Sequence, residues 1–169
     1  MGNVIVGFNI YLEQPSRSLL LKEIDQPPED YFSLIIEACS LLEETDCRFL
    51  VSGFGDDAWP VDVGYDLSTV VEQLPDLLAS LRGGGGGTLD FYEQGIERQL
   101  EFFPEAGKIQ IRCCSRTAWK PNPATEYADL DQLEAMFVKL TLDFAVALEK
   151  VDPDLARTPP ISAWRHGQA

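Results

Sequence analysis

Apolar and polar residues alternate at the start of the chain, a pattern typical of a β-strand. A period of two places alternate side chains on one face of a strand. We therefore predict a first strand over residues 4–12, and the apolar run 19–21 would be a short continuation of it. The apolar side of this strand consists of Val4, Val6, Phe8, Ile10 and Leu12.

The pattern then changes to helical spacing. A first helix is predicted over residues 29–45, because Pro28 suits a first helical position and acidic residues favour the first turn. Its apolar stripe, which we expect to face the core, consists of Phe32, Ile35, Ile36, Cys39 and Leu42. A strand over 47–52 follows. Residues 59–63 are predicted to form a short edge strand, because Pro60 cannot donate a hydrogen bond to a ladder.

A second helix is predicted to begin at Asp66 or Ser68 and to end by Arg82. Pro75 would kink this helix or split it in two. Five consecutive glycines, residues 83–87, come next. They are not followed by the Lys-Ser/Thr pair of a phosphate-binding loop, and a strand follows instead of a helix, so we predict a flexible surface linker.

Three predicted strands then follow in succession, over 88–93, 96–103 and 108–115. Gln94-Gly95 is predicted to be a short hairpin turn between the first two, and residues 119–127 a proline-containing loop. The last long helix is predicted over 130–150. Its apolar residues at helical spacing are Leu133, Met136, Phe137, Leu140, Phe144 and Leu148. Prolines 153, 159 and 160 predict an irregular tail from about residue 152.

This order of elements predicts an α+β fold. We expect one domain over residues 1–169, in which helices pack on one face of a mostly antiparallel sheet with a C-terminal meander. A doubly wound parallel sheet is the alternative, but the alternation of strand and helix stops after residue 87.

Charge is distributed unevenly along the chain. The net charge is −15, and residues 1–107 carry 20 acidic and five basic side chains, whereas 108–169 carry eight of each. Such a protein repels nucleic acid and anionic membranes and attracts basic partners. No segment approaches the roughly 20 apolar residues of a membrane span, and the N-terminus has no basic region of a signal peptide. We therefore expect a cytoplasmic protein that binds neither nucleic acid nor membrane.

The four cysteines indicate no redox or metal function. They have no CxxC spacing, and Cys113 and Cys114 are adjacent, so on a strand they would point to opposite faces. Reduced thiols, mostly buried, are the expectation. The sequence predicts neither a metal nor another cofactor.

The first candidate site is the acidic loop around Trp59. Asp56, Asp57 and Asp62 could meet lysine or arginine of a partner while Trp59 supplies an apolar anchor. The alternative is a solvated loop in which Trp59 belongs to the core and Asp66 caps a helix. The spacing of these acids does not match a calcium-binding EF-hand loop.

The second candidate site is the predicted hairpin. Asp90, Tyr92, Glu93 and Glu97 could be presented to the same basic partner. Alternatively, Glu93 or Asp90 pairs with Arg98 for structural reasons, or two carboxylates act in hydrolysis.

Catalytic motifs are missing from the sequence. It contains no GxSxG, HExxH or GxGxxG pattern, and His166 is its one histidine, near the C-terminus. We therefore predict no catalytic residues. A modest basic cluster, Arg112, Arg116 and Lys120, would complement the acidic half of the same molecule or of a second copy, and the second case implies a homodimer.

Two stretches carry a resemblance to a known class of proteins. They are Trp59-Pro60-Val61-Asp62-Val63-Gly64-Tyr65-Asp66-Leu67 and Phe91-Tyr92-Glu93-Gln94-Gly95. The chain is similar to the small, acidic immunity proteins of bacterial polymorphic toxin and contact-dependent inhibition systems. The resemblance implies a protein that neutralises a cognate toxin, plausibly a basic nuclease. A structural or regulatory interaction domain and a carboxylate-dependent hydrolase are the alternatives.

Overall fold

The computed structural model describes residues 7–20 and 26–169. Its elements, in chain order, are strand β1 (Asn9–Glu13), helix α1 (Tyr31–Glu43), strand β2 (Arg48–Ser52), a π-helical turn (Val63–Leu67), helix α2 (Ser68–Arg82), strands β3 (Gly87–Phe91), β4 (Arg98–Glu105), β5 (Lys108–Ser115) and β6 (Thr125–Asp129), helix α3 (Leu130–Glu149), and the one-turn helices α4 (Pro153–Ala156) and α5 (Ile161–Trp164). The predicted α+β class is confirmed.

Within the described residues the strands form two antiparallel sheets. β1 pairs with β2, and β3, β4, β5 and β6 form a four-stranded sheet in sequence order. The predicted C-terminal meander is confirmed, and β6 extends it. Residues 125–127, predicted to be loop, belong to β6, since pairing through the backbone requires no apolar alternation. The β3–β4 connection covers residues 92–97 and is longer than the predicted two-residue turn.

Helices α2 and α3 pack on one face of the four-stranded sheet. Phe102 of β4 meets Phe137 of α3 with ring centroids 6.0 Å apart, and α2 packs along β3. The residues of the sheet that are buried on this face are Leu89, Phe91, Leu100, Phe102, Ile109, Ile111 and Cys113. Their alternation was correctly predicted, because period-two patterning identifies the buried face directly.

Helix α1 buries only part of its apolar surface. Asp30 caps it by accepting a hydrogen bond from the Ser33 backbone N–H, so it begins after the predicted start at residue 29. The prediction that Phe32 and Ile36 face the core is wrong, because 57% and 56% of these residues are exposed. The buried residues are Leu34, Ile35, Ala38, Cys39, Leu41 and Leu42. Apolar residues cover more than one side of this helix, and the core takes one side.

Helix α2 continues through Pro75 and is not split. A helical proline has no N–H to donate to the carbonyl four residues earlier, which here is that of Val71. The hydroxyl of Tyr31 donates to this carbonyl oxygen at 2.7 Å. A side chain of α1 thus replaces the hydrogen bond that α2 lacks.

The glycine run forms a defined turn after α2, so the prediction of a flexible linker is wrong. The Gly85 N–H donates to the Ser80 carbonyl at 2.8 Å, and the Ser80 hydroxyl donates to the Gly86 carbonyl at 2.6 Å. Gly84 has a φ of +82°, a conformation that glycine adopts without strain. Gly87 already belongs to β3.

The predicted edge strand over 59–63 is also absent from the described structure. The Asp62 side chain accepts hydrogen bonds from the backbone N–H groups of Tyr65 and Asp66, at 2.8 and 2.9 Å. This capping turns the chain into the π-helical turn and away from any ladder.

The C-terminal tail is more ordered than predicted. Asp152 caps α4 by accepting from the Leu155 N–H at 3.0 Å. Trp164 of α5 is buried, with its ring against those of Tyr31 and Phe144 at centroid distances of 6.4 and 6.0 Å. The tail therefore completes the core, because Pro153 at a first helical position starts a turn as well as preventing a long helix.

Parts of two predictions lie outside the described residues, namely residues 4–6 of the first strand and Leu21. Leu19 and Leu20 are exposed and form no strand. Among the helices of the described chain, none has the length and apolarity needed to cross a lipid bilayer.

Candidate functional site

The acidic loop places its residues in structural contacts. Trp59 is 4% exposed and its indole N–H donates to the Gly53 carbonyl at 3.1 Å, so its ring belongs to the core. Asp56 forms an ion pair with Arg98 at 3.0 Å. Asp62 caps the π-helical turn. Asp57 and Asp62 are exposed, and both line a surface groove along β2.

The hairpin acids are divided between two environments. Asp90 pairs with Arg116 at 2.9 Å, and the half-buried Glu97, with a φ of +45°, accepts a hydrogen bond from the Arg116 N–H through its backbone carbonyl. Arg98 pairs with Asp56, so the alternative in which Arg98 pairs with Glu93 or Asp90 is wrong. The sequence could not show this pairing, because 42 residues separate Arg98 from Asp56.

Tyr92 and Glu93 line a groove with residues of three other elements. α1 contributes Ile36 and Glu43, the π-helical turn contributes Tyr65, and α2 contributes Glu72. The volume of this groove is about 360 Å³. We name it the acidic groove and define it by Ile36, Glu43, Tyr65, Glu72, Tyr92 and Glu93.

Large apolar and aromatic side chains are exposed at the acidic groove. Tyr65 is 64% exposed and Tyr92 is 49% exposed. Ile36 lies one helical turn from Phe32, and residues four apart are neighbours on a helix surface. Phe32 and Ile36 therefore form an apolar stripe that leads into the groove. A contiguous exposed patch of this kind marks an interaction surface more often than scattered apolar residues do.

The charges of the acidic groove are of one sign. Glu43, Glu72 and Glu93 line it, and in the part of the chain that the structure describes its lining includes no lysine or arginine. The Tyr92 hydroxyl donates to Glu72 Oε1 at 2.5 Å, and this hydrogen bond raises the pKa of Tyr92. Glu72 is thereby held on the groove wall. Three carboxylates on a concave surface attract a cationic side chain, and a pair of carboxylates can also transfer protons in hydrolysis.

Asp66 lies next to the acidic groove, in the turn that carries Tyr65. It is buried, and its Oδ2 accepts a hydrogen bond from the Asp62 N–H at 2.8 Å. Burial raises the pKa of Asp66 to about 6, and the charges of Asp62 and Glu93 act in the same direction. Among the described residues, its Oδ1 has no hydrogen-bond partner. The sequence suggested that Asp66 caps a helix, but Asp62 performs that function.

The cysteines lie as isolated thiols. Cys39, Cys47 and Cys113 are buried and Cys114 is half-buried, and all four are free. Burial raises the pKa of Cys47 and of Cys113 to about 12, so both remain protonated at neutral pH. In residues 7–20 and 26–169, no three His, Cys, Asp or Glu side chains are placed to hold a metal ion.

The acidic groove was only partly predictable from the sequence. Tyr92 and Glu93 were predicted, whereas Ile36, Glu43, Tyr65 and Glu72 were not. The signal for Ile36 was present in α1, where apolar residues exceed what one buried face requires. The chain has no match among protein-family models, curated proteins or solved structures.

Proposed function

We propose that the protein is an immunity-type inhibitor that binds a basic toxin through the acidic groove and the adjoining Phe32–Ile36 stripe. The observation that carries this proposal is the coincidence of exposed aromatic and aliphatic side chains with charges of one sign. Apolar contacts supply affinity at the centre of an interface, and the surrounding carboxylates attract and orient a basic partner.

Two further features support the proposal. The net charge of −15 would accelerate association with a basic partner. The resemblance to immunity proteins favours a toxin as that partner, with a nuclease as the plausible case, since carboxylates would imitate the phosphates of its substrate. The proposed location is the cytoplasm, where an immunity protein would meet an incoming nuclease.

The binding surface proposed here differs from the surface that the sequence suggested. Asp56 and Asp90 are engaged in ion pairs and Trp59 is in the core, so these residues shape the fold that presents the surface. Tyr92 and Glu93 keep the direct contact with the partner, and Asp57 and Glu97 contribute long-range attraction.

The test is affinity capture from cell lysate at low salt, with salt elution and mass spectrometry. A triple variant, Glu43→Gln, Glu72→Gln and Glu93→Gln, is compared with a control, Glu105→Gln, Asp131→Asn and Asp154→Asn. Both variants lose three charges, and the control residues are exposed and do not line the groove. We expect a basic protein that the wild type and the control capture and the groove variant does not. Equal capture by all three proteins would refute the proposed surface.

A homodimeric interaction domain is the second candidate function. The face of the four-stranded sheet opposite the helices exposes Phe103 and Tyr127, and Arg112 lies over the Phe103 ring at 5.2 Å. Sedimentation velocity distinguishes this candidate. A dimer that a Phe103→Ser and Tyr127→Ser variant dissociates would support it.

A further inference from the structure

The acidic groove combines the two groups that recognise a planar cation. Tyr65 and Tyr92 bring aromatic rings to its surface, and Glu43, Glu72 and Glu93 bring carboxylates. Aromatic faces attract lysine and arginine through the ring quadrupole, and arginine more often. Carboxylates pair with a guanidinium through two parallel hydrogen bonds, which an ammonium cannot form.

The carboxylate of Glu72 is prepared for such a contact. Its Oε1 accepts the hydrogen bond from Tyr92, which fixes the carboxylate beside the Tyr92 ring. A carboxylate has about four acceptor positions on its two oxygens. One hydrogen bond from Tyr92 therefore leaves Glu72 able to accept from a guanidinium.

The size of the acidic groove fits a side chain. Its volume of about 360 Å³ lies near the lower limit of small-molecule sites, which is about 300 Å³. An apolar segment of the partner would rest on the Phe32–Ile36 stripe, and one of its side chains would enter the groove. The stripe is apolar, so the residues that flank the entering side chain would also be apolar.

The same chain already binds an arginine in this way within its own fold. The guanidinium carbon of Arg98 lies 3.5 Å from the Trp119 ring centroid and 4.6 Å from that of Trp59. Asp56 supplies the carboxylate. Two aromatic rings and a carboxylate thus hold a guanidinium inside the molecule, and the acidic groove presents the same types of group at the surface.

We infer that the acidic groove is a receptor for an arginine side chain of the partner, flanked there by apolar residues. This inference rests on the proposed function and adds the chemistry of recognition to it. Arginine is preferred to lysine because the guanidinium satisfies rings and carboxylates at once, whereas an ammonium is a compact and strongly hydrated charge.

The test uses three labelled ten-residue peptides of alternating leucine with arginine, lysine or citrulline. Citrulline keeps the planar shape and removes the charge. Fluorescence anisotropy at low salt measures affinity, and NMR chemical shifts locate the bound peptide. We expect the arginine peptide to bind at least threefold more tightly than the lysine peptide and at least tenfold more tightly than the citrulline peptide, with shifts concentrated at Tyr65, Glu72 and Tyr92.

Variants test the contribution of the tyrosine rings to binding separately from that of the carboxylate charge. Tyr65→Leu with Tyr92→Leu removes both rings at constant charge, and we expect it to abolish the preference for arginine over lysine. Tyr127→Leu, which removes an exposed tyrosine away from the groove, is the matched control. Equal binding of the arginine and lysine peptides, or shifts spread over all acidic residues, would overturn the inference.

The inference and the proposed function fail in different ways. If a basic partner is captured through the groove carboxylates but loss of the tyrosines changes nothing, the arginine receptor is wrong and the proposed function stands. If the arginine peptide binds the groove but no captured protein depends on Glu43, Glu72 and Glu93, the proposed function is wrong and the receptor stands.

Discussion

The hydroxyl of Tyr31 donates a hydrogen bond to the carbonyl oxygen of Val71, at a distance of 2.7 Å. This carbonyl is the one that Pro75 leaves without its helical donor. Tyr31 is half-buried, and its ring also packs against those of Phe32 and Trp164. One side chain of α1 therefore stabilises a defect in the middle of α2 and joins both helices to the C-terminal tail.

Replacing Tyr31 with Phe should lower the free energy of unfolding by about 1–2 kcal/mol, because the Val71 carbonyl loses its donor while the ring contacts remain. In a Pro75→Ala background the same replacement should cost less than about 0.5 kcal/mol, because the new N–H supplies the helical hydrogen bond. Urea denaturation of the four proteins gives both values. If Tyr31→Phe lowers stability equally in the wild-type and Pro75→Ala backgrounds, the Tyr31 hydroxyl does not take the place of the N–H donor that Pro75 lacks.

The sequence predicted local features of the fold better than contacts between distant residues. Alternation in β4 and β5 and helical spacing in α3 identify their buried faces, since each pattern is read within one element. The contacts of Tyr31 with Val71 and of Arg98 with Asp56 join residues 40 or more positions apart. No local pattern carries these contacts, and for the same reason the sequence left open whether Trp59 is buried or exposed.

The glycine turn allows a test of whether residues 83–87 form a defined structure or a flexible linker. A Cβ atom at Gly86 would lie 2.2 Å from the Phe102 carbonyl oxygen, whereas one at Gly83 would meet its nearest atoms at 3.5 Å. Gly86→Ala should destabilise the protein by about 1–3 kcal/mol through overpacking against the backbone. Gly83→Ala should be neutral or stabilising by up to about 1 kcal/mol, because it restricts the unfolded chain. Thermal unfolding distinguishes the two, and equal tolerance would indicate a flexible linker.

The same replacement, isoleucine to serine, should have a large effect on stability at one position of α1 and almost none at the next. Ile35 is fully buried and Ile36 is 56% exposed. Ile35→Ser should cost about 3–5 kcal/mol, because it opens a cavity and buries a hydroxyl. Ile36→Ser should change stability by less than about 0.5 kcal/mol and should weaken capture of the partner. A large loss of stability in Ile36→Ser would mean that Ile36 belongs to the core.

Asp66 should make the protein less stable as pH rises. Its pKa of about 6 in the folded state is above its ordinary value of 3.8, so the folded state holds the proton more tightly than the unfolded state. This contribution is complete below pH 4, is lost between pH 4 and 6, and stays lost above pH 6. Asp66→Asn keeps an acceptor for the Asp62 N–H and cannot ionise.

The difference in stability between the variant and the wild type should therefore move in favour of the variant as pH rises from 4 to 7. The change is at most about 3 kcal/mol, since one pKa unit corresponds to about 1.4 kcal/mol. Urea titrations at pH 4, 5, 6 and 7 measure it. A constant difference across this range would show that Asp66 titrates normally in the folded protein.

Arg98 is the basic residue on which we expect the fold to depend most strongly. Its side chain is 5% exposed, and the Asp56 side chain with which it pairs is 23% exposed. Arg98→Met keeps a long apolar side chain but removes the charge, the planar group that packs against Trp59 and Trp119 and the hydrogen bond to Asp56. Because removing one member of a buried pair leaves the other uncompensated, we expect a loss of roughly 2–4 kcal/mol. The range extends down to about 2 kcal/mol because Asp56 is partly exposed, and water reduces the cost of leaving its carboxylate unpaired.

Arg116→Met is the matched control, because Arg116 also pairs with an aspartate but is 41% exposed at the side chain. Exposed ion pairs contribute less than about 1 kcal/mol, so this variant should unfold at nearly the wild-type urea concentration. Arg98→Lys should lie between the two, since it restores the charge and lacks the planar group that packs against both indole rings. If Arg98→Met and Arg116→Met lose the same small amount, the indole rings and Asp56 do not form a stabilising site for Arg98. The fold would then contain no example of an arginine stabilised by aromatic rings at this position.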